Sequence, residues 1–251
     1  ARNMGVPVEQ ILAHIPQQAT LLVYPLFHIS GLGTSFLSPF LSGTKVVILP
    51  KWDAGEAAKK IADEGVTMLS VVPTMLWDML HKAKLADFNL SSLRNIGTGG
   101  QALPINLLDE MRAACPDAVM GTGYGMTETA GSIAMALGED FIRNRGSAGR
   151  ILPLMDVRIE GEDGAPLPTG QAGEIVVRGA QVMLGYWEQP DATAAVMTDD
   201  GWMRTGDVGY LDEECYIFIV DRKKDMVISG GENIYCAEVE RALSEMPAIT
   251  E

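Results

Sequence analysis

Short apolar runs and helix-like segments take turns through the first half of this sequence, and that alternation constrains the fold more than any other feature. LLVYP (21–25), TKVVIL (44–49), VTMLSVV (66–72), LRNIG (93–97) and DAVMG (117–121) read as strands. Between them stand HISGLGTSFLSPFL (28–41), read as a short apolar helix, then AGEAAKKIADE (54–64), PTMLWDMLHKA (73–83) and LPINLLDEMRAAC (103–115). Asp53 predicts an N-cap, Gly65 a stop, and Pro73 a first-turn proline. Apolar strands that do not alternate with polar residues are buried on both faces, so the pattern predicts an α/β fold with a mostly parallel, helix-covered sheet. In such sheets ligands bind beyond the carboxyl ends of the strands.

After about residue 146 the composition changes. MDVRIEGEDGAPLPTGQAGEIVVRG (155–179) reads as strands joined by tight turns, with Asp163-Gly164 a hairpin signal, and GYLDEECYIFIVD (209–221) reads as a second hairpin. From Arg222 the chain turns charged, then Gly-rich, then helical at AEVERALSEM (237–246).

The balance of 19 basic against 33 acidic residues gives a formal charge of -14, which disfavours nucleic acid and anionic membranes as partners. It leaves ATP open, because magnesium neutralises much of the phosphate charge. The three cysteines, Cys115, Cys215 and Cys236, form no C-x-x-C and suggest neither a disulfide frame nor a zinc site; a reducing cytoplasm is the expected setting. The apolar run 26–41 is broken by His28, Gly31, Gly33 and Pro39, so no transmembrane segment is expected.

GTGYGMTETAG (121–131) follows the last strand of the first half. Glycine there permits positive φ or close backbone approach, Tyr124 offers a flat face with a polar tip, and Thr127 and Glu128 offer oxygen to a hard cation. The same residues also suit an ordinary Gly-rich turn. GTGGQA (97–102) fits the dinucleotide fingerprint G-x-G-x-x-A. The fingerprint's acidic partner at the end of the next strand is missing, which argues against a nicotinamide enzyme. RTGD (204–207) ends in Asp207, suited either to a ribose or to its own turn backbone. DRKKD (221–225) reads alone as a solvated charged turn, and SGGEN (229–233) as a backbone-exposing loop.

Their order carries more than any of them singly. PLFHISGLG (25–33), GTGGQAL (97–103), YGMTE (124–128), GEIVVRG (173–179), GYW with a following P-x-A-T (185–193), RTGD (204–207) and DRKKDMVISGGENIYCAEVE (221–240) resemble, in sequence, the adenylate-forming acyl-CoA synthetase superfamily. The resemblance implies an acid-thiol ligase that joins a carboxylic acid, fatty or otherwise hydrophobic, to AMP and then to coenzyme A. ATP, Mg2+ and coenzyme A are the implied cofactor and co-substrates; a homodimer is an admissible assembly. It implies that Thr127 contacts phosphate and Glu128 holds magnesium. Gly99, Gly100 and Tyr124 would sandwich the adenine, Gln101 and Gly125 would also bind the nucleotide, and Asp207 would grip the ribose hydroxyls with Arg222 beside it. Lys224 matches the hinge, Gly230 and Gly231 the coenzyme A tunnel, and His28 the acyl pocket. The implied domains are an α/β subdomain of the adenylation domain (1–145), a β-rich, barrel-like subdomain (146–221) and the start of a mobile α+β C-terminal domain (222–251).

Two positions depart from the family pattern. Thr122 stands where Asn, Asp or Gln often meets the adenine amino group, and Cys236 stands where proline is common. The family's phosphate loop upstream and its lysine near the C-terminus fall outside these residues, so the sequence is expected to be a central piece of a longer enzyme, inactive alone. The rival expectations are an adenylation domain that loads amino acids onto a carrier protein and a non-catalytic nucleotide-binding module. His28 cannot supply the negative charge that the first rival's substrate ammonium asks for.

Overall fold

The computed structural model describes residues 17–99, 105–223, 225, 227–229, 232–234, 236, 239 and 243. They divide into two compact units, residues 17–98 with 105–120, and residue 99 with 121 onward.

In the first unit β1 (Ala19–Leu22) lies between β2 (Lys45–Ile48) and β3 (Met68–Val71), and β3 pairs on its far side with β4 (Asn95–Gly99). All three pairings are parallel, as the apolar runs predict. Three helices connect and cover the strands: α1 (Ala54–Glu64), α2 (Pro73–His81) and α3 (Ile105–Ala114). The Asp53 carboxylate accepts from the Glu56 N–H at 2.9 Å, filling one of the orphan donors of a helix start, and Gly65 ends α1 at φ 64°. Leu21, Ile61, Leu69, Leu76, Met79, Leu93, Ile96 and Met111 form the buried filling of this unit.

The apolar helix expected over 28–41 takes another form. Residues Ser30–Leu37 wind as a π-helix, and one α-turn, Ser38–Leu41, follows. Restarting at Ser38 puts Pro39 in a first turn, where its missing donor costs nothing.

The second unit is antiparallel throughout. β5 (Val119–Tyr124) enters it from the first unit. The order continues with β6 (Ala134–Leu137), β7 (Gly149–Ile151), β11 (Tyr216–Arg222), β10 (Met203–Leu211), β9 (Gly173–Gly179) and β8 (Met155–Glu160). α4 (Pro190–Val196) precedes β10, and β12 (Val227–Ser229) forms a separate hairpin with β13 (Glu232–Ile234). The expected turn at Asp163-Gly164 is present, with Gly164 at φ 75°. Tyr124, Ile133, Met155, Ile159, Ile175, Val177, Met203 and Ile217 pack into one core cluster. Architecture is therefore mixed α/β, with parallel strands first and β-rich structure after them.

Candidate functional site

The segment 121–124 is strand and not loop. β5 runs through Gly121 and Gly123 to Tyr124, and the loop begins at Gly125. None of the three glycines adopts positive φ; Gly121 and Gly125 are small because neighbouring residues lie against them. A Cβ on Gly121 would run into Leu137 and the Ala136 carbonyl of β6, and one on Gly125 would run into the Gly131 backbone. The loop folds back on itself there: the Gly131 N–H donates to the Met126 carbonyl at 3.1 Å, and Ala130 takes φ 52°. Thr129, fully buried, ties the turn by accepting from the Met126 N–H at 3.2 Å. Thr127 is left exposed at the tip, and its hydroxyl makes no hydrogen bond among the described residues.

Tyr124 ends β5 with its ring buried in the core cluster, only 9% exposed. Its hydroxyl donates to Asp207 Oδ2 at 2.7 Å, across 83 positions of sequence. Burial, reinforced by the adjacent Asp207 charge, pushes the phenol far above its ordinary range, so it stays a donor.

RTGD is a bulge inside β10. Arg204 pairs with Val176 and Val208 with Glu174, so two extra residues lie on the β10 side. Gly206 at φ 75° makes that possible. The Thr205 hydroxyl pins the bulge by donating to the Ile175 carbonyl at 2.7 Å and accepting from the Asp207 N–H at 3.1 Å. From the other side the Lys223 N–H donates to the Gly206 carbonyl at 2.9 Å, and Lys223 Nζ meets buried Glu174 at 2.8 Å. Asp207 is thereby held 8% exposed, with Oδ1 facing the Arg222 guanidinium at 3.6 Å from the paired position on β11. Burial raises its carboxyl above the usual carboxylate range; the Tyr124 hydroxyl and Arg222 draw it partway back.

Glu128 is half-buried on a 3-10 turn, Thr127–Thr129. Its Oε1 accepts from the Tyr186 hydroxyl at 2.9 Å and its backbone carbonyl from the Met183 N–H at 2.7 Å. Its Oε2 has no partner among the described residues. Tyr186 has no role in the sequence reading; only the G-Y-W and P-x-A-T spacing points to it.

Gly99, at the end of β4, lies beside Gly123, whose carbonyl would be 3.2 Å from any Cβ placed there. His28 is exposed, and its Nδ1 accepts from the Ser30 N–H at 3.1 Å. Cys236, where the family pattern favours proline, uses the N–H a proline would lack: it donates to buried Asp221 Oδ2. Gly100, Gln101, Lys224, Gly230 and Gly231 lie outside the described residues.

Among the described residues no group of three or more His, Cys, Asp or Glu could cage a metal. A lone carboxylate with one open oxygen suits magnesium, which keeps waters and substrate phosphates as most of its ligands. No helix among the described residues is long and apolar enough to cross a membrane.

The model of the AMP-binding enzyme family matches residues 2–187. Indoleacetate–CoA ligase of Aromatoleum aromaticum is 43% identical over 232 residues, covering 92% of this chain and 45% of that protein. A long-chain-fatty-acid–CoA ligase of Mycobacterium tuberculosis is 37% identical, covering 92% of this chain and 45% of its own. Among solved structures, O-succinylbenzoate coenzyme A synthetase of Bacillus subtilis in complex with ATP and magnesium ion superposes with a TM-score of 0.84 at 37% identity, over 100% of this chain and 50% of that one. The chain thus spans about half the length of the relatives it matches.

Proposed function

The chain belongs to the AMP-binding enzyme family, and on that footing we propose that it serves an acid-thiol ligase that activates a hydrophobic carboxylic acid with ATP and transfers it to coenzyme A. The observation that carries the reading is the Tyr124–Asp207 hydrogen bond. It joins the Y-G-M-T-E and R-T-G-D stretches, far apart in sequence, at a buried carboxylate whose second oxygen is turned toward an arginine.

In the proposed first step a carboxylate oxygen of the acid attacks the α-phosphorus of ATP. The bond from that phosphorus to the bridging oxygen breaks, and pyrophosphate leaves. In the second, the sulfur of coenzyme A attacks the acyl carbon, AMP leaves with the electron pair, and the thiol proton goes to solvent. Asp207 accepts from the ribose hydroxyls, and Tyr124, donating to Oδ2, fixes its orientation. The Arg222 guanidinium favours the charged form of that carboxylate against the burial that raises it. Gly99 and Gly100 are proposed to flank the base, and Gln101 and Gly125 to contact the nucleotide. Thr127 is exposed at the loop tip, and its hydroxyl, with no partner among the described residues, is free to donate to phosphate. Glu128 is the proposed magnesium carboxylate; the ion, when bound, offsets charge that develops on phosphate oxygens. Lys224 is proposed as the hinge, Gly230 and Gly231 as lining for the pantetheine arm, and His28 as a contact for the acyl substrate.

The acid is proposed from the chemistry that the similar proteins' names share, an organic acid with a large apolar part. A panel of aromatic and aliphatic acids presented to the intact protein, scored by AMP release, tests this. Release with apolar acids supports the reading. Release only with amino acids would favour carrier loading, and no release with any acid while ATP still binds would favour a non-catalytic module.

A further inference from the structure

We propose that Tyr186 is a positioning residue for the Glu128 carboxylate, and that the G-Y-W…P-x-A-T segment serves to hold it in place; the proposal rests on the ligase reading, in which Glu128 carries magnesium. Glu128 stands on a single 3-10 turn, an element too short to fix a long side chain by itself. Magnesium, however, demands near-octahedral geometry with ligands at about 2.0–2.1 Å. Something outside the turn has to hold the carboxylate.

The segment 183–186 grips Glu128 twice. The Met183 N–H holds its carbonyl at 2.7 Å, and the Tyr186 hydroxyl holds Oε1 at 2.9 Å. That leaves Oε2 for a cation. Tyr186 is held in turn: its N–H donates to Thr193 Oγ1 at 2.9 Å, and the Thr193 hydroxyl donates to the Gln189 carbonyl at 2.9 Å. Gly185 lets the loop lie against Thr193, since a Cβ there would come within 2.8 Å of Thr193 Cγ2. Met183 packs against the core cluster, but Leu184 and Trp187, on either side of Gly185-Tyr186, are 101% and 86% exposed and leave that pair to polar bonds. Polar bonds from α4 fix the loop, and the loop fixes the acid.

The test is ATP binding by calorimetry on the intact protein, with whatever sequence flanks these residues, over a range of Mg2+ and in EDTA. Tyr186→Phe is expected to raise the Mg2+ needed for half its effect by about 10- to 100-fold, the usual consequence of losing a group that orients a metal ligand. Affinity in EDTA and melting temperature should stay unchanged. Thr193→Val should shift the Mg2+ response in the same direction, and Thr193→Ser should restore it. If Tyr186→Phe also melts several degrees lower, Thr193→Val decides: a Mg2+ shift without loss of melting temperature supports the proposal, and no shift overturns it. A wild-type Mg2+ response in Tyr186→Phe, alongside a lost response in Glu128→Ala, overturns the positioning role and leaves the ligase reading standing. A wild-type response in Glu128→Ala overturns the ligase reading and this proposal with it.

Discussion

Asp207 pits stability against function at a single side chain. It is buried, and burial raises its carboxyl above the unfolded value of about 3.9. Between those two values the folded chain binds more protons than the unfolded one. Its contribution is therefore full below the ordinary carboxylate range and is lost as pH rises through the raised folded value. Replacing it by Asn should raise the melting temperature at neutral pH, with the advantage vanishing in acid; scans across pH check this. The same change, or Asp207→Ala, should weaken ATP. A hydrogen bond to a charged group is worth about 1.5–3 kcal/mol, so roughly a 10- to 100-fold loss of affinity is expected by calorimetry. Unaltered ATP affinity would leave Asp207 as a bulge residue only. Glu128→Ala removes the proposed magnesium carboxylate. Removing one placed electrostatic group costs about 10²–10³ in rate, and pyrophosphate release by the intact protein should fall by that order.

At the scale of elements, the turn that carries Glu128 depends on a glycine for space. Gly125→Ala would drive a Cβ into the Gly131 backbone. A loss of about 1–3 kcal/mol is expected from overpacking, read by urea denaturation. Asp53→Ala, which removes the α1 cap, should cost about 0.5–2 kcal/mol by the same measurement and leave ATP affinity alone. Elements of this local kind were legible in sequence: the Asp53 cap, the Gly65 stop, Pro73 opening α2 and the parallel strands all follow from spacing over a few residues. Misreadings came where partners far along the chain decide. Gly121 and Gly123 look like loop because glycine weakens an isolated strand, yet both pair with β6, which needs Gly121 small. The RTGD bulge is defined by register against β9, and no local pattern reports a register. Tyr186 was visible only as part of a spacing, since its bond to Glu128 spans 58 positions.

On the scale of the whole molecule, two claims meet. The chain carries a net charge of -14, so these 251 residues should show no shift of duplex DNA in an electrophoretic assay at 0.15 M salt. Binding of a polyanion such as ATP must then be local, resting on a metal and on a few aligned groups. We propose that Asp207 on β10 and Glu128 beyond β5 serve one magnesium nucleotide. A crystal structure of the intact protein with ATP and magnesium tests it most directly. The Asp207 carboxylate is expected within hydrogen-bond distance of the ribose hydroxyls, and a Glu128 oxygen bound to the magnesium at about 2.0–2.1 Å or joined to it through one water. A ribose seated away from Asp207, or a magnesium held without Glu128, would contradict it.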